Sequence, residues 1–268
     1  RRANYRKPVF GGGKMRAYFA FTKKEFIENL RTYKLMIMIV VFLIFGVMSP
    51  LFAKFTPEIL KAAGLDASAL GVGTPTAIDS FAQFFKNVGQ LGLLVLVIVF
   101  SGIMANELSK GTLINILTKG MRRSTVILSK FIMATVIWTV SYLLCLAVTY
   151  AYTAYYFTIE NISNAFLAFS SMWLFGVLLI AIVILGGVLF KNVYGSLLLT
   201  GGIVVVMTIV NIAPKLQKYN PITLSSDNMQ LIMAQKAASD FMPAVIICAV
   251  LTIVSVIASI MIFNKKQL

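Results

Sequence analysis

Residues Leu91–Val148 read LGLLVLVIVFSGIMANELSKGTLINILTKGMRRSTVILSKFIMATVIWTVSYLLCLAV. Two runs of nearly pure hydrocarbon flank the polar stretch Ala105–Lys130, which holds one acid, five bases and two glycines. A bilayer's hydrocarbon core is crossed by a helix of ~20 apolar residues. Each flanking run is long enough for that, and the stretch between them is too polar to follow them in. The segment is therefore two membrane spans joined by a polar loop, and similar alternation extends along the chain.

The composition agrees. Of 268 residues 59% are hydrophobic and 12% charged, and the mean hydropathy is +0.88. A soluble domain of this length carries about twice that share of charge. The chain has no histidine, hence neither the commonest metal ligand nor the commonest neutral-pH base. Its two cysteines, Cys145 and Cys248, lie inside apolar runs and read as small buried hydrophobes, not as a disulfide pair. No cleavable leader is evident, because the first apolar run spans and no small-residue cleavage site follows it.

Six segments qualify as spans: about 35–53, 87–106, 131–157, 162–190, 192–213 and 243–263. None contains Asp, Glu, Lys or Arg. With the N-terminus in the cytosol, the inner side collects 18 of the 24 Lys and Arg and three acids, Glu25, Glu28 and Glu107. The outer side collects six bases and six acids. Basic residues favour the cytosolic side, so the expectation is a multi-pass protein of the cell membrane with both termini cytosolic. The loop before span three is then cytosolic too. The +15 formal charge reports membrane orientation, not nucleic acid.

Residues 1–14 lack periodicity and read as a flexible basic tail. Residues 15–33 read as an amphipathic interfacial helix, with Phe19, Phe26 and Leu30 on the apolar face and Lys23 and Lys24 toward cytosol and lipid phosphates. On the outer side, Thr56, Pro57, Glu58 and Gly64 carry the cap, first-turn and terminator syntax of a short helix. Ser225 or Ser226 is a second candidate cap, ahead of Met229, Ile232 and Met233. Within the spans the polar residues are small. Cys248, Thr252, Ser255 and Ser259 form one stripe in span six, and Thr200, Thr208 and Asn211 another in span five. Helix packing and a polar pathway both account for such stripes.

In the loop, Glu107 ends the hydrocarbon and Gly111 interrupts the helix. Thr112 is placed to cap a short new helix, whose dipole would favour the nearby Glu107. Leu113, Ile116 and Leu117 give that helix an apolar edge. Gly120 closes it, and Arg122 and Arg123 follow. Such an edge at the inner surface suits lipid or a partner's groove.

The order Glu107, Gly111–Thr112–Leu113, Leu117, Arg122–Arg123 and Lys130 resembles the signature of ABC-2 type transporter permeases. Gly120 stands where that family usually has proline, and Ser129 where it often has glycine. The resemblance runs over the chain: an interfacial helix, six spans, this loop and an outer helical segment between spans five and six. It implies an all-α membrane protein in which the loop is a coupling helix, with Glu107, Gly111, Thr112, Leu113, Ile116, Leu117, Arg122 and Arg123 as the ATPase-coupling residues. It also implies two copies of a cytosolic ABC ATPase and a second copy of the chain. ATP and Mg would sit in that partner, and this chain would hold no cofactor or metal. The residues are compatible with this, since the chain has no Gly-x-x-x-x-Gly-Lys-[Ser/Thr] loop and no charges at membrane depth of the kind proton-driven carriers use. The resemblance implies export, and the apolar spans favour an amphipathic or hydrophobic cargo, such as a peptide or drug-like molecule. The competing readings are a sensor or scaffold subunit without transport, and an ATP-independent carrier or channel. An intramembrane metalloprotease lacks its ligands.

Overall fold

The computed structural model describes residues 12–64, 73–113, 117, 118, 120–159 and 162–266, with the backbone alone for 12–17 and 20. The described residues are helical or connect helices. Helix α1 (Gly12–Arg31) leads to α2 (Lys34–Ala62) through Tyr33, which takes a left-handed conformation at φ 58°. The second span is composite: α3 (Ala77–Lys86), a π-helical stretch Asn87–Gly92, α4 (Leu93–Phe100) and α5 (Gly102–Ser109). Then come α6 (Arg123–Tyr156), α7 (Ala165–Phe190) and α8 (Val193–Val210). The short helices α9 (Pro214–Gln217), α10 (Thr223–Ser226) and α11 (Asn228–Ile232) precede the last long one, α12 (Ala238–Lys265). Among the described residues, six stretches are long and apolar enough to cross a membrane: Lys34–Ala62, Ala77–Ser109, Arg123–Tyr156, Ala165–Phe190, Val193–Val210 and Ala238–Lys265. The expected six-span, all-α architecture is present.

Three local expectations differ. Residues 12–14, expected in a flexible tail, already belong to α1. Thr56 does not cap a separate helix: α2 continues through it and through Pro57 to Ala62, and the Thr56 hydroxyl donates to the Phe52 carbonyl at 2.5 Å. Gly64, at φ 76°, follows the end of this one long helix. Ser225 and Ser226 lie inside α10, and α11 starts after Asp227 with no side-chain cap. The start of span two has a cap that the sequence reading passed over. Thr76 and Asp79 form a reciprocal capping box there, with the Thr76 amide donating to Asp79 Oδ2 at 2.8 Å.

Helix α7 is the pillar. It packs against α4, α5, α6, α8, α10, α11 and α12, and most of its side chains are buried. Lipid tails are as apolar as leucine, so helices in a bilayer associate through close packing and hydrogen bonds. Its carbonyls take the donors of its neighbours. Trp138 Nε1 donates to Trp173 O at 3.0 Å, Tyr142 Oη to Phe169 O at 2.8 Å and Ser196 Oγ to Val183 O at 2.7 Å. The stripe Cys248, Thr252, Ser255 and Ser259 is buried on α12, the helix that packs most extensively on α7. Thr252 and Ser259 donate back to the carbonyls of Cys248 and Ser255, at 2.8 and 2.7 Å.

Helices α2 and α6 form the other extensive pair. A Cβ on Gly46 would lie 2.9 Å from the Cys145 carbonyl, so the glycine sets the distance between the two backbones. Pro50 has no amide hydrogen to give Gly46 O, four residues back. The Thr149 hydroxyl of α6 donates there instead, at 3.2 Å. Helix α8 is the least enclosed. Among its residues only Ser196 and Thr200 are buried, and Thr200 donates to Ser196 O at 2.9 Å. Thr208 is exposed and donates to Val204 O, while Asn211 Oδ1 lies 3.4 Å from Asn220 Nδ2.

A charged cluster beneath the loop between spans two and three

Helix α1 meets the bundle along one stripe, Phe21, Glu25 and Asn29, four residues apart and each at most 4% exposed. Phe19, Phe26 and Leu30 point away from the protein, and Lys23 is exposed. Helix α1 thus turns an acid inward. Glu25 finds its counter-ion on α6: Lys130, itself 0% exposed, places Nζ 3.0 Å from both Glu25 oxygens. Nearby, the Thr22 hydroxyl reaches Ser129 Oγ at 3.2 Å, and Asn29 Nδ2 donates to Glu25 O at 2.8 Å.

Glu107, at the end of α5, closes the cluster. Its Oε2 lies 2.8 Å from Lys130 Nζ, within ion-pair range but without the angle of a hydrogen bond. Its Oε1 accepts from Lys24 Nζ at 2.6 Å. Lys24 also touches Glu25 at 3.1 Å and Glu28 at 2.5 Å. Burial pushes the Lys24 pKa down, but hydrogen bonds to Glu107 and Glu28 outweigh it and hold the group above the ordinary lysine value. The three carboxylates come within 4.8 Å of one another, a spacing that could hold a metal ion. The two ammonium groups already stand between them and satisfy the charge that a cation would. The cluster is an electrostatic joint linking α1, the end of span two and the start of span three. Charges this deep are costly to strip of water and persist only when paired.

This geometry changes the reading of the loop. Glu107 faces the lysines, not the start of a new helix. Thr112 turns back on the helix it leaves, with its amide and hydroxyl both donating to Glu107 O, at 3.2 and 3.3 Å. Gly111 is left-handed, at φ 67°, as helix terminators require. Leu113, expected on a free apolar edge, is 1% exposed and belongs to the protein's own core. Leu117 is half-buried against the same core. Such an edge needs a surface to cover it, and the folded chain supplies one. Ile116 lies outside the described residues. Arg122 is exposed, as are Ser109, Lys110 and Thr112. Arg123 turns inward, onto the end of α12.

Sequence reasoning named Glu107 and Lys24 but assigned them to other tasks, and it kept Lys130 only as a motif position. The available signal was helical phase. Lys130 follows Val126 by four residues and precedes Ala134 by four, and both are fully buried. A lysine on that face requires a buried acid.

The comparisons with known proteins agree with this architecture. Residues 19–268 match the family model described as ABC-2 family transporter protein. The chain is 22% identical over 183 residues to an uncharacterized transmembrane protein, YxlG, of Bacillus subtilis (strain 168), covering 67% of this chain and 70% of the relative. With nearly the whole sequence matched and six spans in place, the chain belongs to the ABC-2 family of transporter proteins and is a multi-pass membrane permease subunit.

Proposed function

We propose that this subunit exports an amphipathic or hydrophobic cargo across the cell membrane, driven by a separate cytosolic ABC ATPase present in two copies, with a second copy of the chain completing the pathway. ATP and Mg are bound by the ATPase. Both termini and the loop between spans two and three face the cytosol, and α1 lies at the inner leaflet with Phe19, Phe26 and Leu30 toward lipid.

The observation that supports this best is the joint of Glu25, Lys130, Glu107 and Lys24. It sits under the loop and ties that loop to the start of span three. A loop so anchored transmits a push instead of yielding to it. The docking face is the exposed polar rim, Ser109, Lys110, Thr112 and Arg122. Leu113 secures the loop from below. The test is co-purification of the tagged chain with an ATPase from its host, followed by hydrolysis assays in proteoliposomes with and without a panel of amphipathic peptides and drugs. Stimulated hydrolysis in a two-plus-two complex is expected. A purified chain that moves cargo in vesicles without nucleotide refutes the proposal.

A further inference from the structure

Arg122 and Arg123 are neighbours with different surroundings. Arg122 is exposed. Arg123 opens α6 and reaches across to the end of α12, where Nη1 donates to the carbonyls of Phe263, Asn264 and Lys266, the last two at 3.3 and 2.5 Å. Its guanidinium also lies 5.3 Å from the centre of the Phe263 ring. The next cation repeats the arrangement one helix further on. Lys266 Nζ donates to the carbonyls of Val188 and Leu189 at the end of α7, to the latter at 2.9 Å.

The last four carbonyls of a helix have no partner within it. At the end of α7 all four are provided for. Gly187 O accepts from the Lys191 amide at 3.1 Å and Phe190 O from Asn192 Nδ2 at 3.3 Å, while Val188 O and Leu189 O accept from Lys266. Two of the four therefore depend on a side chain that is itself held in place by Arg123. Each cation also meets the negative pole of a helix dipole.

We infer that Arg123 and Lys266 form a two-step staple that carries displacement of the cytosolic loop to the ends of spans six and four, and so into the pillar of the bundle. Arg123 is accordingly a positioning residue of the coupling machinery and not an ATPase contact. This rests on the coupling role given to the loop above. With the staple closed, the loop, the end of α12 and the end of α7 move as one body. With it open, the loop and the start of span three move without the ends of α12 and α7, and ATP hydrolysis runs without effect on the pillar.

The experiment is a distance measurement between spin labels on Lys110→Cys and Lys191→Cys, both exposed sites. The native Cys145 and Cys248 are fully buried. The chain is studied in lipid nanodiscs with its captured ATPase, before and after trapping with ATP and vanadate. With Arg123 present, a narrow distribution that trapping leaves unchanged is expected. With Arg123→Gln or Lys266→Gln, the distribution should shift or broaden on trapping while ATPase capture is kept, and Arg123→Lys should restore part of the parental behaviour. A role confined to stability would change both states alike. Parental distances in Arg123→Gln, or a shift on trapping in the parent itself, overturn the staple alone. Failure of the parent to capture any ATPase overturns the permease reading, and the coupling role of the staple with it.

Discussion

Replacing Lys130 with methionine probes the electrostatic joint directly. The substitution keeps the length and apolar stem of the side chain and removes a charge that lies 3.0 Å from both oxygens of Glu25 and 2.8 Å from Glu107. Lys24 remains, but it is partly in water and its nearest contacts are to Glu28 and Glu107. Removing one partner of a buried pair costs about 3–5 kcal/mol. The weakening of α1 docking should therefore be roughly 150- to 5,000-fold in the opening equilibrium, at one decade per 1.36 kcal/mol. Asn29→Cys provides the reporter, because Asn29 is 2% exposed on the docked face. Its maleimide labelling, normalised to the exposed Lys23→Cys, should rise by that factor. Lys24→Met should give a few-fold effect, as partly exposed pairs contribute about 0–1 kcal/mol. The double variant Glu25→Gln, Lys130→Met should recover most of the docking. Labelling at the parental rate in Lys130→Met would falsify the assignment of docking energy to this joint.

Three further outcomes follow from particular contacts. Cysteine at Ser226 should react with an impermeant thiol reagent applied to intact cells, and cysteine at Ser109 only once the inner face is opened; both sites are exposed, and the reverse result inverts the topology. Gly111→Ala should strain the loop by about 1–2 kcal/mol through its positive φ, and Gly111→Pro by more, since proline cannot adopt that angle and loses the amide that bonds Leu108 O; ATPase capture should fall in that order. Gly46→Leu should lower the thermal midpoint by overpacking the contact with Cys145 O, at about 1–3 kcal/mol, and Thr149→Val should cost about 1 kcal/mol by leaving Gly46 O unpaired.

The spans were legible because hydrocarbon thickness imposes a length and a composition that no nearby residue can mask. The ends of helices were not. Hydropathy marks where lipid stops, and α2 runs past that point with Thr56 and Pro57 inside it. A threonine that caps and a threonine that donates back to a carbonyl four residues earlier look identical in one dimension. The burial of the loop is hidden for a related reason. Leu113 and Leu117 have an apolar edge in any reading, but what covers it is the protein's own core, which only tertiary structure brings near. Arg122 and Arg123 are the sharpest case. Adjacent and chemically identical, they part company because one falls before the first turn of α6 and the other within it.

The pairing of Glu25 with Lys130 spans 105 residues, and this has a consequence for biogenesis. During synthesis α1 leaves the ribosome before Lys130 is made, with Lys24 as the neighbouring cation for its acid. Spans one and two must enter the membrane, and span three must begin to follow, before Lys130 exists to receive it. Docking of α1 through this pair therefore waits on span three.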